Sequence, residues 1–393
     1  MSKVGRNRID GYTLHNSVRI VRGGEDYFSC IDEIAARASY SLHLQTYIFD
    51  EDSTGERVAN ALIAAAERGV RVYVMLDGYA SQGISKQFIE RLRSSGIHFR
   101  YFEPFFKSSV YYFGRRLHHK VIVADGYLCL VGGVNISNRY NDLESAPAWL
   151  DWALMAEGEV AAQLDKICVR VWNRGLFSKK CAATDLPEYN TVGEVCRVKV
   201  SRNDWVFSRT DITDSYRRLF DVAQKEITIM TSYFWPPQAI LSRMEQAASR
   251  GVQVRVVLTG RADVPFVKYA ERYLYNRLFR NNIAIYEYEK NILHGKIAIR
   301  DKSWITVGSY NLNNISAFAS MELNLDVDNE QVAAGLATEV EKIILEDCRQ
   351  IKQDDFIATN SILKMLAYYI SYWLVKATFL LFTFYFIQRR KRP

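Results

Sequence analysis

The chain has 393 residues, of which 49% are hydrophobic and 24% charged, so it can bury a large core and exceeds one average domain. Four charges of its net +7 come from Arg389, Arg390, Lys391 and Arg392, and the mildly basic body that remains argues against a nucleic-acid partner. Six scattered cysteines without a CxxC pair argue against a zinc site or disulfide framework and fit a reducing compartment, and "MSKVGRNRIDGYTLHNS" lacks the apolar run of a signal peptide.

In chain order, "SYSLHLQTYIFDED" reads as a strand, "ERVANALIAAAERG" as an Ala-rich amphipathic helix and "GVRVYVMLDG" as a second strand. "GIHFRYFEP" gives a third strand, followed by "HHKVIVADGYLCLVGGVN" from His118 to Asn135. After a polar stretch at 178–194 that contains Pro187, the series repeats: "KEITIMTSYFWPPQ", "QAILSRMEQAASRG", "GVQVRVVLTG", "NIAIYEYEK" and "HGKIAIRDKSWITVGSYN", His294 to Asn311. Order and motif recur together, so the chain reads as a duplicated α/β unit with parallel strands and helices on the sheet faces. The expected divisions are an N-terminal half at 1–177, a linker at 178–194, a C-terminal half at 195–350 and a tail at 351–393.

Both motif copies carry His, one residue, Lys, four mostly apolar residues, Asp, and later a Gly-Gly or Gly-Ser pair and Asn. On a strand, His118 and Lys120 share a face, as do His294 and Lys296. Asp125-Gly126 between apolar runs predicts a two-residue hairpin loop, with Asp301-Lys302 in the second copy. That register puts Gly133 beside His118 and Ser309 beside His294, small residues that leave room for substrate. Asn135 and Asn311 then fall on the histidine face, whereas Asp125 and Asp301 have the opposite parity and belong to a turn or an ion pair.

Two imidazoles, two ammonium groups and two carboxamides suit a phosphodiester. Lysine offers a point charge to a non-bridging oxygen, and asparagine donates to oxygens that gain charge in the transition state. A neutral histidine can attack phosphorus while a second, protonated one serves the leaving alcohol. One ring cannot do both at once, which gives the duplication its reason: two half-sites meet across a pseudo-twofold axis. Asp151 and Glu322, 33 and 28 residues beyond their motif histidines, sit in apolar strand-like runs where a lone carboxylate is costly, and are expected to orient the rings. No GxSxG, Walker A or HExxH pattern competes.

These motifs resemble the phospholipase D superfamily, with its duplicated HxKxxxxD followed by GGxN or GSxN, over roughly residues 10–345. Within it, "MLDGYASQG", "GIHFRYFEP" and "ADVPFVKYAERYLYNRLFRNNIAIYEYEKNILHGK" look like the bacterial cardiolipin synthases of the B type, which lack the N-terminal transmembrane helices of many relatives. The resemblance implies a pair of phospholipase D-like domains related by a pseudo-twofold axis. It implies phosphatidyl transfer through a phosphohistidine without metal or other cofactor, with phosphatidylglycerol as acceptor. It places His118, Lys120, Asp125, His294, Lys296 and Asp301 in the catalytic set, with His118 as nucleophile and His294 as acid–base, roles the near-symmetry of the copies leaves exchangeable. Lys120, Lys296, Asn135 and Asn311 would bind phosphate. The donor, phosphatidylglycerol or phosphatidylethanolamine, and the oligomeric state are not legible. Hydrolysis of a phospholipid by the same half-sites is the alternative activity, ahead of nucleic-acid cleavage and of a silent membrane scaffold.

The tail "LAYYISYWLVKATFLLFTFYFIQRRKRP" has 22 residues from Leu366 to Ile387 with a single charge, Lys376. That length could span a bilayer, but Lys376 near its centre would cost about 2.5–3.5 kcal/mol and the basic end would lie on the wrong side. A helix lying on the cytoplasmic face of the inner membrane is therefore expected, with packing on the chain's own body or on a partner as a further reading. The stretch from Lys107 to Lys120, rich in bases and aromatics, is a candidate entrance.

Overall fold

The computed structural model describes residues 11–103, 115–174, 180–184, 196–262, 264–318 and 320–389. The proposed linker therefore lies largely outside the described residues, as do the first part of the candidate entrance, 107–114, and the final residues 390–393.

The first half runs β1 (Asn16–Arg22), α1 (Glu25–Arg37), β2 (Ser41–Thr46), α2 (Ser53–Glu67), β3 (Arg71–Asp77), α3 (Lys86–Ser94), β4 (His98–Phe102), β5 (Arg116–Leu117), β6 (Lys120–Ala124), β7 (Leu128–Gly132), β8 (Trp152–Gly158) and α4 (Glu159–Trp172). The second opens with β9 (Arg197–Asp204), β10 (Arg209–Thr210), α5 (Asp211–Val222), β11 (Glu226–Thr231), α6 (Gln238–Ser249), β12 (Gln253–Thr259), α7 (Pro265–Tyr273), α8 (Tyr275–Arg280) and β13 (Ala284–Tyr288). It closes with β14 (Lys296–Arg300), β15 (Trp304–Gly308), α9 (Asn314–Phe318), β16 (Ser320–Asp328), α10 (Glu330–Asp347), β17 (Cys348–Ile351), α11 (Gln353–Thr359) and α12 (Ile362–Arg389).

The duplication is visible in the pairing. The first sheet has the order β1-β8-β7-β6-β2-β3-β4, and the second contains β9-β16-β15-β14-β11-β12-β13, strand for strand the same path. Within each half, β2-β3-β4 and β11-β12-β13 pair in parallel, with helices supplying the crossovers. The motif hairpins and their neighbours extend each sheet antiparallel, so the sheets are mixed rather than wholly parallel. Local chemistry explains the crossovers. In α2, Asp52 accepts from the Gly55 amide as N-cap, and Val58, Ala59, Leu62 and Ala65 recur at helical spacing on the buried face.

Strand alternation divides the core. Ile122, Ala124, Leu128 and Leu130 face α1 and α2, while Val121, Val123, Cys129 and Val131 face the other way and pack with Ile297, Ile299, Ile305 and Val307 of the second sheet. The two sheets thus share one core, closed by α4 and α10. Burying both faces fixes the register, because a one-residue slip would turn each apolar set out of its layer.

The hairpin register differs by one residue from that expected. Lys120 pairs with Gly132, not Val131, and Ile297 pairs with Val307. The turns are of the anticipated kind: Asp125 and Gly126 have φ of 54° and 62°, Asp301 and Lys302 of 50° and 51°, and the Tyr127 and Ser303 amides close them onto Ala124 and Arg300. Tyr127 and Ser303 are then one residue more than a two-residue loop holds, and each shifts its hairpin ladder by one. Gly133 and Ser309 consequently serve other neighbours than those predicted.

The tail forms α12, whose first turns pack Met365, Tyr368, Tyr372 and Val375 against the second half, next to α7. Packing on the body is thus the realised arrangement for this face. The opposite face exposes Leu363, Leu366, Ile370, Trp373 and Leu374. Among the described residues, no helix is long and apolar enough to cross a membrane.

Candidate active site

The motif histidines meet because each half grips the other's motif strand. The His118 and His119 amides both donate to the Met321 carbonyl, and the His294 and Gly295 amides both donate to the Leu150 carbonyl. β5 pairs in parallel with β16, and Leu150 bridges to Leu293. The residue after each gripping carbonyl is a carboxylate, and both carboxylates are crossed between halves. His118 Nδ1 lies 2.9 Å from Glu322 Oε2, and His294 Nδ1 lies 2.6 Å from Asp151 Oδ2. Asp151 and Glu322 are fully buried, so without a partner their charge would be costly. With Nδ1 engaged, Nε2 is the nitrogen each ring offers, and both rings line one cavity of about 590 Å³.

The residues predicted as small neighbours of the histidines accommodate the carboxylates instead. A Cβ on Gly133 would come within 2.5 Å of Asp151 Oδ1, so glycine leaves space for that carboxylate rather than for substrate. Ser309 Oγ donates to Glu322 Oε2 at 2.5 Å. Lys120 and Lys296, 1% exposed, donate to the carbonyls of their own motif histidines, and Lys296 Nζ also lies 3.8 Å from Asp151 Oδ2. Asn135 and Asn311 line the cavity. The Asn135 oxygen accepts from the Ile48 amide and its NH2 donates to Tyr140 Oη. The Asn311 oxygen accepts from Ser232 Oγ, which leaves its NH2 as the carboxamide's donor end.

Asp125 and Asp301 do not join this group. Asp125 accepts from the amides of Ser39, Tyr40 and Ser41, and Asp301 from those of Gln224, Lys225 and Glu226. They sit at the hairpin turns, at the far end of the strands from the histidines. The structure places both at the turns and outside the histidine cluster: they tie the turn to the start of the neighbouring parallel strand.

A family profile described as "Cardiolipin synthase, PLD-like domain" matches residues 31–172 and 216–344, one match per half. Cardiolipin synthase B of Salmonella typhimurium is 32% identical over 358 residues, covering 87% of this chain and 84% of its own length, and cardiolipin synthase B of Escherichia coli K12 is 31% identical, covering 86% and 83%. The chain belongs to the phospholipase D-like cardiolipin synthase family. Among solved structures of this fold, phosphatidylserine synthase of Haemophilus influenzae Rd KW20 superposes with a TM-score of 0.71 at 13% identity, over 93% of this chain and 94% of its own. A polyphosphate kinase of Porphyromonas gingivalis superposes with a TM-score of 0.55 at 14% identity, over 92% and 56%.

The family's paired motifs create a crowded cationic site. Burial lowers His118, and Lys120 lowers it further against the pull of Glu322. Burial and then Lys296 push His294 down to about 3, opposed by Asp151. Burial brings Lys120 down to about 7 although Glu322 favours its charge. Burial alone would raise Glu322, but His118, Lys120 and the Ser309 hydrogen bond hold it below the usual carboxylate range. Substrate-free, the site sheds protons; an entering anion returns the missing charge and favours their recapture.

Sequence reasoning missed most of the walls. Tyr47 stands edge-on to His118 at 4.8 Å, Tyr140 edge-on to His294 at 5.0 Å, and Trp149 at 6.0 Å from it. Arg116 and Arg139 also line the cavity, with Asp77 and Asp50 as respective ion-pair partners. The available signal was positional. Tyr47 and Tyr233 both fall just past the ends of the equivalent strands β2 and β11, where parallel sheets open their sites.

Proposed function

We propose that the chain is a cardiolipin synthase that transfers a phosphatidyl group through a phosphohistidine on His118. His118 Nε2 attacks the phosphorus of a donor phospholipid, phosphatidylglycerol in the simplest case, and a P–N bond forms as the P–O bond to glycerol breaks. Protonated His294 gives its proton to the departing glycerol oxygen. The hydroxyl of a second phosphatidylglycerol then attacks phosphorus, His294 takes back the proton, and the P–N bond breaks to release cardiolipin. Lys120, Lys296, Asn135 and Asn311 hold the non-bridging oxygens, whose charge grows at each transition state. The crossed pairs His118–Glu322 and His294–Asp151, with both rings on one cavity, carry this reading. The exposed apolar face of α12 supports contact with a membrane surface, which in this reading is the cytoplasmic face.

Expression in cells lacking their own cardiolipin synthases tests the reaction by lipid analysis. Cardiolipin should appear with the intact chain and not with His118→Ala or His294→Ala. Phosphatidic acid without cardiolipin would replace transfer with hydrolysis.

A further inference from the structure

The cavity that holds the two histidines is not closed by the two motif-bearing sheets alone. Its far wall is built from α7, through Val267 and Ala270, and from α12, through Val375 and Thr378. α12 is fixed there by aromatic contacts: Tyr372 lies 4.5 Å from Tyr273 and 5.7 Å from Trp235, and Tyr368 lies 5.2 Å from Tyr269. Trp235 itself lines the cavity, so the helix is seated directly on the wall. α7 is held in turn by a buried ion cluster, with Lys268 Nζ 2.6 Å from Glu271 and 2.9 Å from Glu287.

α12 therefore has two apolar faces with different surroundings. Its inner face looks toward the histidines, and its outer face, with Leu363 at 77% exposure, is open to solvent or bilayer. Phe234, Trp235, Val267, Ala270 and Val375 make most of this wall apolar up to the exposed rim residues Val264 and Phe266, and the α7 carboxylate among them, Glu271, is engaged by the Phe234 amide and Lys268. A phosphodiester headgroup needs the polar floor; nothing in a headgroup matches a largely apolar wall. A hydrocarbon chain attached to the reacting phosphate does, and the cavity lies within the roughly 300–1,000 Å³ typical of small-molecule sites.

We propose that the inner face of α12, with α7, forms an acyl-chain channel, so that the tail is part of the substrate site as well as a membrane contact. The lipid enters from the bilayer under the outer face. Its phosphate reaches the histidines while one acyl chain stays between Val267, Ala270, Val375 and Thr378. The inference rests on the phospholipid reading of the site. It makes α12 a determinant of acyl preference.

The test uses the full chain with His118→Ala, so that lipid binds unreacted, on vesicles of phosphatidylcholine and phosphatidylglycerol. The phosphatidylglycerol carries a diazirine partway along one acyl chain. Irradiation should label the peptides containing Val267 and Ala270 and those containing Val375 and Thr378. Val375→Trp, and independently Thr378→Trp at the exposed rim, should cut labelling of the α7 peptide about tenfold, equivalent to about 1.4 kcal/mol of binding. Label confined to the outer positions Leu366, Ile370 and Trp373, or α7 labelling unchanged in both variants, would overturn the channel. Cardiolipin formation by the unmodified chain is followed in the same vesicles. Its absence would sink the transfer reading, while label on the inner wall would still establish the channel.

Discussion

A carboxylate behind each imidazole decides what the site can do. In Ser-His-Asp enzymes, replacing the buried carboxylate by its amide leaves geometry intact but costs about 10⁴ in kcat, because the ring takes the wrong tautomer. Asp151→Asn and Glu322→Gln remove comparable supports from His294 and His118. Steady-state phosphatidyl transfer should fall by about 10²–10⁴ in each, with little change in KM. Proton linkage gives a second expectation. His294 at about 3 and Lys120 at about 7 lie below their ordinary values because their charged forms are buried among cations. A bound anion favours those charged forms, so phosphate binding near neutral pH should take up protons, and its affinity should weaken as pH rises through about 7 and Lys120 loses its charge. Calorimetry in buffers of different ionisation enthalpy reads the sign, and proton release would contradict it. Both carboxylates were legible as lone charges in apolar runs. That each serves the other half's histidine was not, since nothing local to Asp151 marks a residue 143 positions away.

The motif hairpins show where element-level reading stops. Their turn type followed from Asp125-Gly126, but one extra residue after each turn shifts the ladder, and because both faces of these strands carry apolar residues the hydrophobic pattern alone does not distinguish the two registers. The second turn carries a cost the first avoids: Lys302 occupies a left-handed conformation, at φ 51°, where the first copy has Gly126. Lys302→Gly should therefore stabilise the fold by about 1 kcal/mol, read as a higher urea midpoint, with turnover unchanged. Asp125→Ala makes the opposite test. Losing three amide bonds to a carboxylate should destabilise by about 2–4 kcal/mol while residual activity at low temperature persists, as a turn residue requires. Loss of chemistry with unchanged melting would return Asp125 to the catalytic set.

At the scale of the molecule, the duplicated succession of elements was legible because helix and strand periodicities recur in sequence, and the sheets set both motifs at equivalent positions. The tail's composition announced an apolar helix, but not its seat against α7, which depends on tertiary partners such as Trp235 and Tyr273. The proposed function joins these layers at one phosphorus atom served by both halves. A donor with radiolabelled phosphorus and a p-nitrophenol leaving group, which needs no acid to depart, probes that unity by rapid acid-free quench of the unmodified chain and its two histidine variants. The account predicts at most one phosphatidyl group per chain, retained in His294→Ala and lost in His118→Ala. Two labels per chain, one on each histidine, would mean two independent sites and would contradict it.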